Sequence, residues 1–235
     1  MDHYQQIYSQ RAAEYQRMIA AEDVDGNLIT TLREITPLQG KRILDLGSGT
    51  GRLPVLFSTQ AERPAQIIGL ELQSAMLREN LRQRQTHAGT WELLQADMRS
   101  LPLGGSWADV VIAGWAVGHL TGWHPENWQA EIGRVIAEMQ RMLKSGGRLI
   151  ILETLGTGSL NPGPPAHSLG ALYAWLEGEC GFERRTIRTD YQFASVEQAV
   201  QATEFFFGAG LAERIRQQGW ARLPEWTGVW FKEAV

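Results

Sequence analysis

Four positions carry side chains whose type and spacing suit ligand chemistry. Asp45 sits at the end of an apolar run, just before a glycine-dense turn holding Gly47, Gly49 and Gly51. Glu71 ends the next apolar run, and Asp97 follows the one after it, inside Ala-Asp-Met-Arg-Ser-Leu-Pro. His119 lies past the fourth run, in Gly-Trp-Ala-Val-Gly-His-Leu. A glycine turn between strand and helix lets backbone approach a ligand closely, because glycine lacks a Cβ and tolerates positive φ. A carboxylate about twenty residues further on, at Glu71, can accept hydrogen bonds from ribose hydroxyls. Asp97 stands where an adenine amino group can donate to it, with Met98 free to pack on the ring. Asp45 has two readings, a cap for the N–H groups of the glycine turn or a ligand contact. His119 is the candidate general base, since an imidazole titrates near neutrality.

These positions need a scaffold, and the hydrophobic pattern supplies one. Short apolar runs at 42–46, 66–71, 91–95, 109–114 and 148–153 read as strands. Helical periodicity falls between them, at 52–60, 74–84 and 127–143, with Met76, Leu77 and Leu81 expected on an inner face. Pro54 fits the first turn of its helix, where a missing N–H costs little. Ser74 and Ser168 are read as N-caps. Before the first strand, 4–19 and 27–35 read as helices; after the fifth, a helix at 168–179 is followed by a strand at 183–193, helices at 196–206 and 210–218, and a last strand at 227–232. This alternation implies a doubly wound, mainly parallel α/β sheet that binds ligands at the carboxyl ends of its strands.

Composition narrows the function classes. The chain has 235 residues, 43% hydrophobic and 20% charged, with net charge -4, enough for one large α/β domain. No basic stripe suggests nucleic acid. The lone Cys180 forbids a disulfide framework within the chain and suits a reducing compartment. The polar N-terminus and the lack of a membrane-length apolar run point to a cytoplasmic protein. His119, His124 and His167 match no compact metal motif, and no metal is expected. Nor does Gly-Lys-Ser/Thr follow the glycine turn, which excludes a P-loop. A dinucleotide fingerprint needs a third glycine where this chain has Arg52.

Ile43 to Gly51, reading Ile-Leu-Asp-Leu-Gly-Ser-Gly-Thr-Gly, resembles the first motif of class I S-adenosylmethionine-dependent methyltransferases. Glu71, Ala96-Asp97-Met98, Val110 to Ile112 and Leu143 to Leu149 fall where later motifs of that family stand. The resemblance implies a Rossmann-like sheet of seven strands, its C-terminal strand antiparallel, and S-adenosyl-L-methionine as cofactor. It implies that the glycine turn, with Asp45, Gly47, Ser48, Gly49 and Gly51, lies against the methionine part. Glu71 then takes the ribose hydroxyls, Leu72 and Met98 flank adenine, Asp97 meets its amino group, and Gly114 and Trp115 face the sulfonium. It also makes residues 1–36 a helical lid bearing Tyr8 and Tyr15, 41–155 the cofactor core, and 156–235 the acceptor side. The Asn/Asp-Pro-Pro-Tyr/Phe signature linked to nucleic-acid amines or glutamine side chains is missing after strand 4. The expected partner is a small-molecule methyl acceptor, with neither nucleic acid nor membrane, and a homodimer is compatible. Two alternatives stay open: a non-catalytic cofactor-binding regulatory protein and, against Arg52, a nicotinamide-dependent oxidoreductase.

Overall fold

The computed structural model describes residues 2–61 and 63–234. Strands β1 (Arg42–Leu46), β2 (Gln66–Glu71), β3 (Glu92–Gln95), β4 (Ala108–Gly114), β5 (Leu143–Thr157), β6 (Glu183–Arg188) and β7 (Glu225–Glu233) form one sheet in the order β3-β2-β1-β4-β5-β7-β6. The first five pair in parallel. β7 runs antiparallel between β5 and β6, with Ile151 opposite Trp230. The C-terminal strand is therefore the antiparallel one.

Strand alternation explains the three layers. Ile43, Val110, Ile112, Ile150 and Leu152 face one apolar cluster with Leu28, Leu32, Leu53 and Phe57. Leu44, Leu46, Val111, Ala113, Leu149 and Ile151 face another, with Ile132, Val135 and Met139. Both faces of the central strands are buried, so their sequences are continuously apolar. Each such side chain contributes about 1.5–3 kcal/mol when fully removed from water. Helices α3 (Asn27–Ile35) and α4 (Arg52–Ser58) cover the first face; α7 (Trp128–Met142) and α8 (His167–Gly178) cover the second.

Several local expectations are corrected. The first helix is two, α1 (His3–Gln10) and α2 (Ala12–Ile19), broken at Arg11, whose backbone leaves the helical region and whose guanidinium lies over Phe205. Helix α5 (Ser74–Thr86) starts one residue past its N-cap, Gln73, so Ser74 is not the cap; Ala166 likewise replaces Ser168 before α8. The inner face of α5 is Met76, Glu79 and Asn80, whereas Leu81 is exposed. Asn80 belongs inside because it ties three elements together. Its Nδ2 donates to the Gly49 carbonyl at 3.1 Å and to Ser48 Oγ at 3.2 Å, and its Oδ1 accepts from Trp91 Nε1 at 2.8 Å. β5 begins at Leu143 instead of Arg148: the Lys-Ser-Gly-Gly stretch stays in the strand through a register shift against β4. The strand expected at 183–193 stops at Arg188, and Tyr191–Gln192 pairs with Arg222–Leu223 in a separate ribbon.

A third apolar cluster joins Met18 and Ile19 to helices α9 (Val196–Phe207) and α10 (Ala209–Gln218). It holds the N-terminal helices over the carboxyl edge of the sheet. Among the described residues no helix is long and apolar enough to cross a membrane.

Candidate functional site: two joined cavities at the carboxyl edge

Strand order reverses between β1 and β4, which opens a crevice where doubly wound sheets bind ligands. The glycine turn after β1 and the segment after β4 meet there. Gly47 has φ +68°, and a Cβ on it would lie 2.6 Å from that of Ala116. Only glycine allows both the backbone turn and this approach. Trp115 itself has φ +51°, an uncommon conformation for a bulky residue and one that concentrates at functional sites. Its N–H donates to the Leu152 carbonyl at 2.7 Å, which helps hold the bend.

Glu71, rather than Asp45, clasps the glycine turn. Its Oε2 accepts the Gly49 N–H at 3.0 Å and its Oε1 the Gln73 N–H at 2.8 Å. Burial raises the Glu71 pKa, and these backbone donors oppose the rise. Asp45 is buried under the turn with Oδ1 lacking a hydrogen-bond partner, and burial pushes its pKa well up. Of its two readings, the capping role is thus taken by Glu71, which reaches back from β2, and Asp45 does not line the cavity in front of the turn.

A cavity of about 310 Å³ opens in front of the turn. Gly47, Gly49, Glu71, Leu72, Asp97, Met98, Gly114, Trp115, Tyr15 and His119 all line it. Three of the expected contacts do not. Asp45 lies beneath; Ser48 turns its hydroxyl to Asn80; Gly51 starts α4 with φ +99°, where a Cβ would meet Asn80 Oδ1 at 2.7 Å. These three shape the turn from behind.

Asp97 is held by a residue the sequence reading passed over. Arg99 Nη2 donates to its Oδ2 at 2.7 Å and Nε to its Oδ1 at 3.0 Å, while Nη1 reaches Glu131 at 2.6 Å. The Arg99 guanidinium lowers the Asp97 pKa, so this carboxylate stays charged and fixed in direction. An arginine two residues after a strand-end acid is the signal that was available.

His119 opens the short helix α6 (His119–Trp123). Its Nε2 lies 2.8 Å from the Tyr8 hydroxyl, and its ring stacks on Trp123 at 5.1 Å. Desolvation among these rings lowers its pKa to about 4. The expected imidazole titrating near neutrality is therefore not what the fold builds: His119 is neutral at pH 7 and a weak base.

A second cavity, about 660 Å³, lies behind these rings. It shares Tyr8, Tyr15, Trp115, His119 and Trp123 with the first. Tyr4, Phe206 and Phe207 add aromatic walls, and Pro165 and Ala166 come from the loop after β5. Trp230 of β7 packs in the core and does not line this cavity. Its charged residues are Glu22, Arg52, Glu153 and Glu225, with the exposed Asp2 and Arg214; of these only Arg52 was singled out from sequence. Arg52 Nη1 donates to Glu22 at 2.8 Å, and its guanidinium lies 3.9 Å over the Trp115 ring. Glu153 accepts the Gly118 N–H at 2.7 Å; burial pushes its pKa up to about 8. An acid ending β5, as Glu71 ends β2, was a usable sequence signal.

A glycine turn, a strand-end acid and an apolar slot at the switch point form a site of the kind that suits a nucleoside-bearing ligand. Residues 44–151 match the family model described as a methyltransferase domain. The chain is 29% identical over 171 residues to a malonyl-[acyl-carrier protein] O-methyltransferase of Legionella pneumophila, covering 71% of this chain and 55% of that one. It is 30% identical over 125 residues to the ubiquinone/menaquinone biosynthesis C-methyltransferase of Syntrophotalea carbinolica, covering 53% and 48%. The chain thus spans about half the length of the curated relatives it matches. A SAM-dependent methyltransferase structure from Aquifex aeolicus shares the fold, with TM-score 0.57 and 16% identity over 88% of this chain and 89% of that one. Residues 44–151 thus match a methyltransferase domain, and the chain shares the fold of an S-adenosylmethionine-dependent methyltransferase structure.

Proposed function

We propose that this protein transfers a methyl group from S-adenosyl-L-methionine in the first cavity to a small molecule in the second. The observation that carries this reading is the junction: two cavities meet at Trp115, His119 and Tyr8, beside the glycine turn. The first cavity fits the cofactor. Bare backbone at Gly47 and Gly49, an anchored carboxylate at Glu71, the fixed Asp97 and the apolar Leu72 and Met98 match its amino-acid, ribose and adenine parts.

Bound there, the cofactor supplies a methyl group on a positively charged sulfur, already activated. The residues then have three tasks. The glycine turn and Glu71 bind, Trp115 and Gly114 orient, and the aromatic rings exclude water. Alignment of this kind can lower a barrier by roughly 7–11 kcal/mol. His119, neutral and bonded to Tyr8, serves as a wall and hydrogen-bonding group at the junction. Residues 3–19 act as the lid, through Tyr8 and Tyr15. The net charge of -4 and the aromatic-walled second cavity support a small-molecule partner and not a nucleic acid. A cytoplasmic setting agrees with the single cysteine, and a homodimer remains the assembly to measure.

The test is incubation with methyl-labelled S-adenosylmethionine and a panel of amines, hydroxy compounds and activated carbon acids. Label transfer to one class supports the proposal. Cofactor binding without transfer to any of them favours a non-catalytic binding protein.

A further inference from the structure

The second cavity contains more buried acid than its cations can balance. Glu22 is paired with Arg52. Glu153 and Glu225, 4% and 2% exposed, form no ion pair among the described residues. Glu225 Oε1 accepts the Thr154 hydroxyl at 2.8 Å, whereas its Oε2 is buried with no hydrogen-bond partner. A buried carboxyl left unpaired is costly unless it is protonated or a ligand completes it.

We infer that the second cavity receives an acceptor that carries an ammonium group, with Glu225 and Glu153 as the carboxyls that meet this group among aromatic rings. This rests on the methyl-transfer reading above. Three features favour a cation. The unpaired oxygen belongs to an acid, and Glu225 lines the cavity together with Glu153. The walls are rings, including Tyr4, Tyr8 and Phe206, whose faces attract cations. Four acids, Asp2, Glu22, Glu153 and Glu225, line the cavity against two arginines, the exposed Arg214 and Arg52, whose guanidinium already serves Glu22 and lies on Trp115. Arg52 Nη2 is itself buried and unpartnered, and it suits a neutral oxygen on the same ligand. Burial raises the pKa values of Glu153 and Glu225, each to about 8, and an ammonium beside them would lower both.

The experiment is calorimetric titration of the protein saturated with S-adenosylhomocysteine, using 2-phenylethylamine, 2-phenylethanol and phenylacetate. The amine is expected to bind roughly tenfold or more tighter than the alcohol, the difference a charge-assisted hydrogen bond makes, and phenylacetate weakest. Glu225→Gln should remove most of that preference while leaving S-adenosylhomocysteine affinity unchanged. Glu153→Gln gives an independent reading if Glu225→Gln melts too low to titrate. Equal binding of amine and alcohol, no amine binding to the loaded protein, or tightest binding of phenylacetate overturns the assignment. Failure of S-adenosylhomocysteine itself to bind overturns the methyl-transfer reading instead.

Discussion

The Tyr8 hydroxyl lies 2.8 Å from His119 Nε2, which ties the N-terminal helix α1 to the segment after β4 across the junction of the two cavities. Both groups are stripped of water by the surrounding rings: burial raises the Tyr8 pKa well above its ordinary value and lowers that of His119 to about 4. A neutral phenol and a neutral imidazole therefore share this bond at pH 7. Tyr8→Phe leaves Nε2 without its partner and should destabilise the fold by about 1–3 kcal/mol. A thermal melt is expected to show the drop, together with slower turnover once an acceptor is known. An unchanged melting temperature would mean that the contact does not hold the lid.

The low His119 pKa has a consequence for rate profiles. Methyl transfer should show no inflection from His119 between pH 6 and 8, because the imidazole is already neutral there. His119→Ala is expected to lower turnover while leaving S-adenosylhomocysteine affinity nearly intact. An acid limb near pH 6.5 in the wild type that vanishes in His119→Gln would show an ordinary titrating base after all.

Glu71→Ala removes the acceptor for two backbone N–H groups of the turn region as well as a proposed ribose contact. Hydrogen bonds to a buried charged group are worth about 1.5–3 kcal/mol. Cofactor-product affinity should fall roughly tenfold or more by calorimetry. Unchanged affinity would separate Glu71 from the ligand.

Gly47→Ala places a methyl group 2.6 Å from the Ala116 Cβ, at a φ of +68° that alanine avoids. The turn after β1 and the segment after β4 must then part. Loss of S-adenosylhomocysteine binding is expected, with a lower melting temperature. Gly104→Ala, which meets nothing within 4 Å, is the control that should change neither.

Glu153 sets a pH dependence with a defined sign. Its folded pKa, about 8, stands above the ordinary 4.5, so the folded state holds this proton more tightly than the unfolded chain. The contribution is complete below about pH 4.5 and is lost as pH rises through 8. Glu225 acts in the same direction. The wild-type melting temperature should fall between pH 6 and 9, and that of Glu153→Gln should fall less. Parallel curves for the two proteins would contradict the raised pKa.

The β1 to β5 frame was legible because buried parallel strands and amphipathic helices write themselves as local apolar patterns, and Pro54 and the glycines marked the turn between β1 and α4. Glu71 and Asp97 were legible because each ends a strand on one edge. What local patterns miss is contact across the fold. Nothing near Asp45 reveals that Glu71 reaches back to take the Gly49 N–H, nor does the sequence around Leu81 show that Asn80 points inward to Ser48 and Trp91. The second cavity was hidden for the same reason: Glu22, Arg52, Glu153 and Glu225 come from four separate parts of the chain. The His119 pKa depends on Tyr8 and Trp123 closing around it, which residue type alone does not convey.

The central claim is that the glycine turn and Glu71 form a cofactor site for S-adenosylmethionine. Calorimetric titration of S-adenosylhomocysteine and, separately, NAD into the wild-type chain tests it most directly. One molecule of S-adenosylhomocysteine per chain should bind, with NAD silent and Glu71→Ala weakened. Absence of S-adenosylhomocysteine binding, or preferential binding of NAD, would contradict the account.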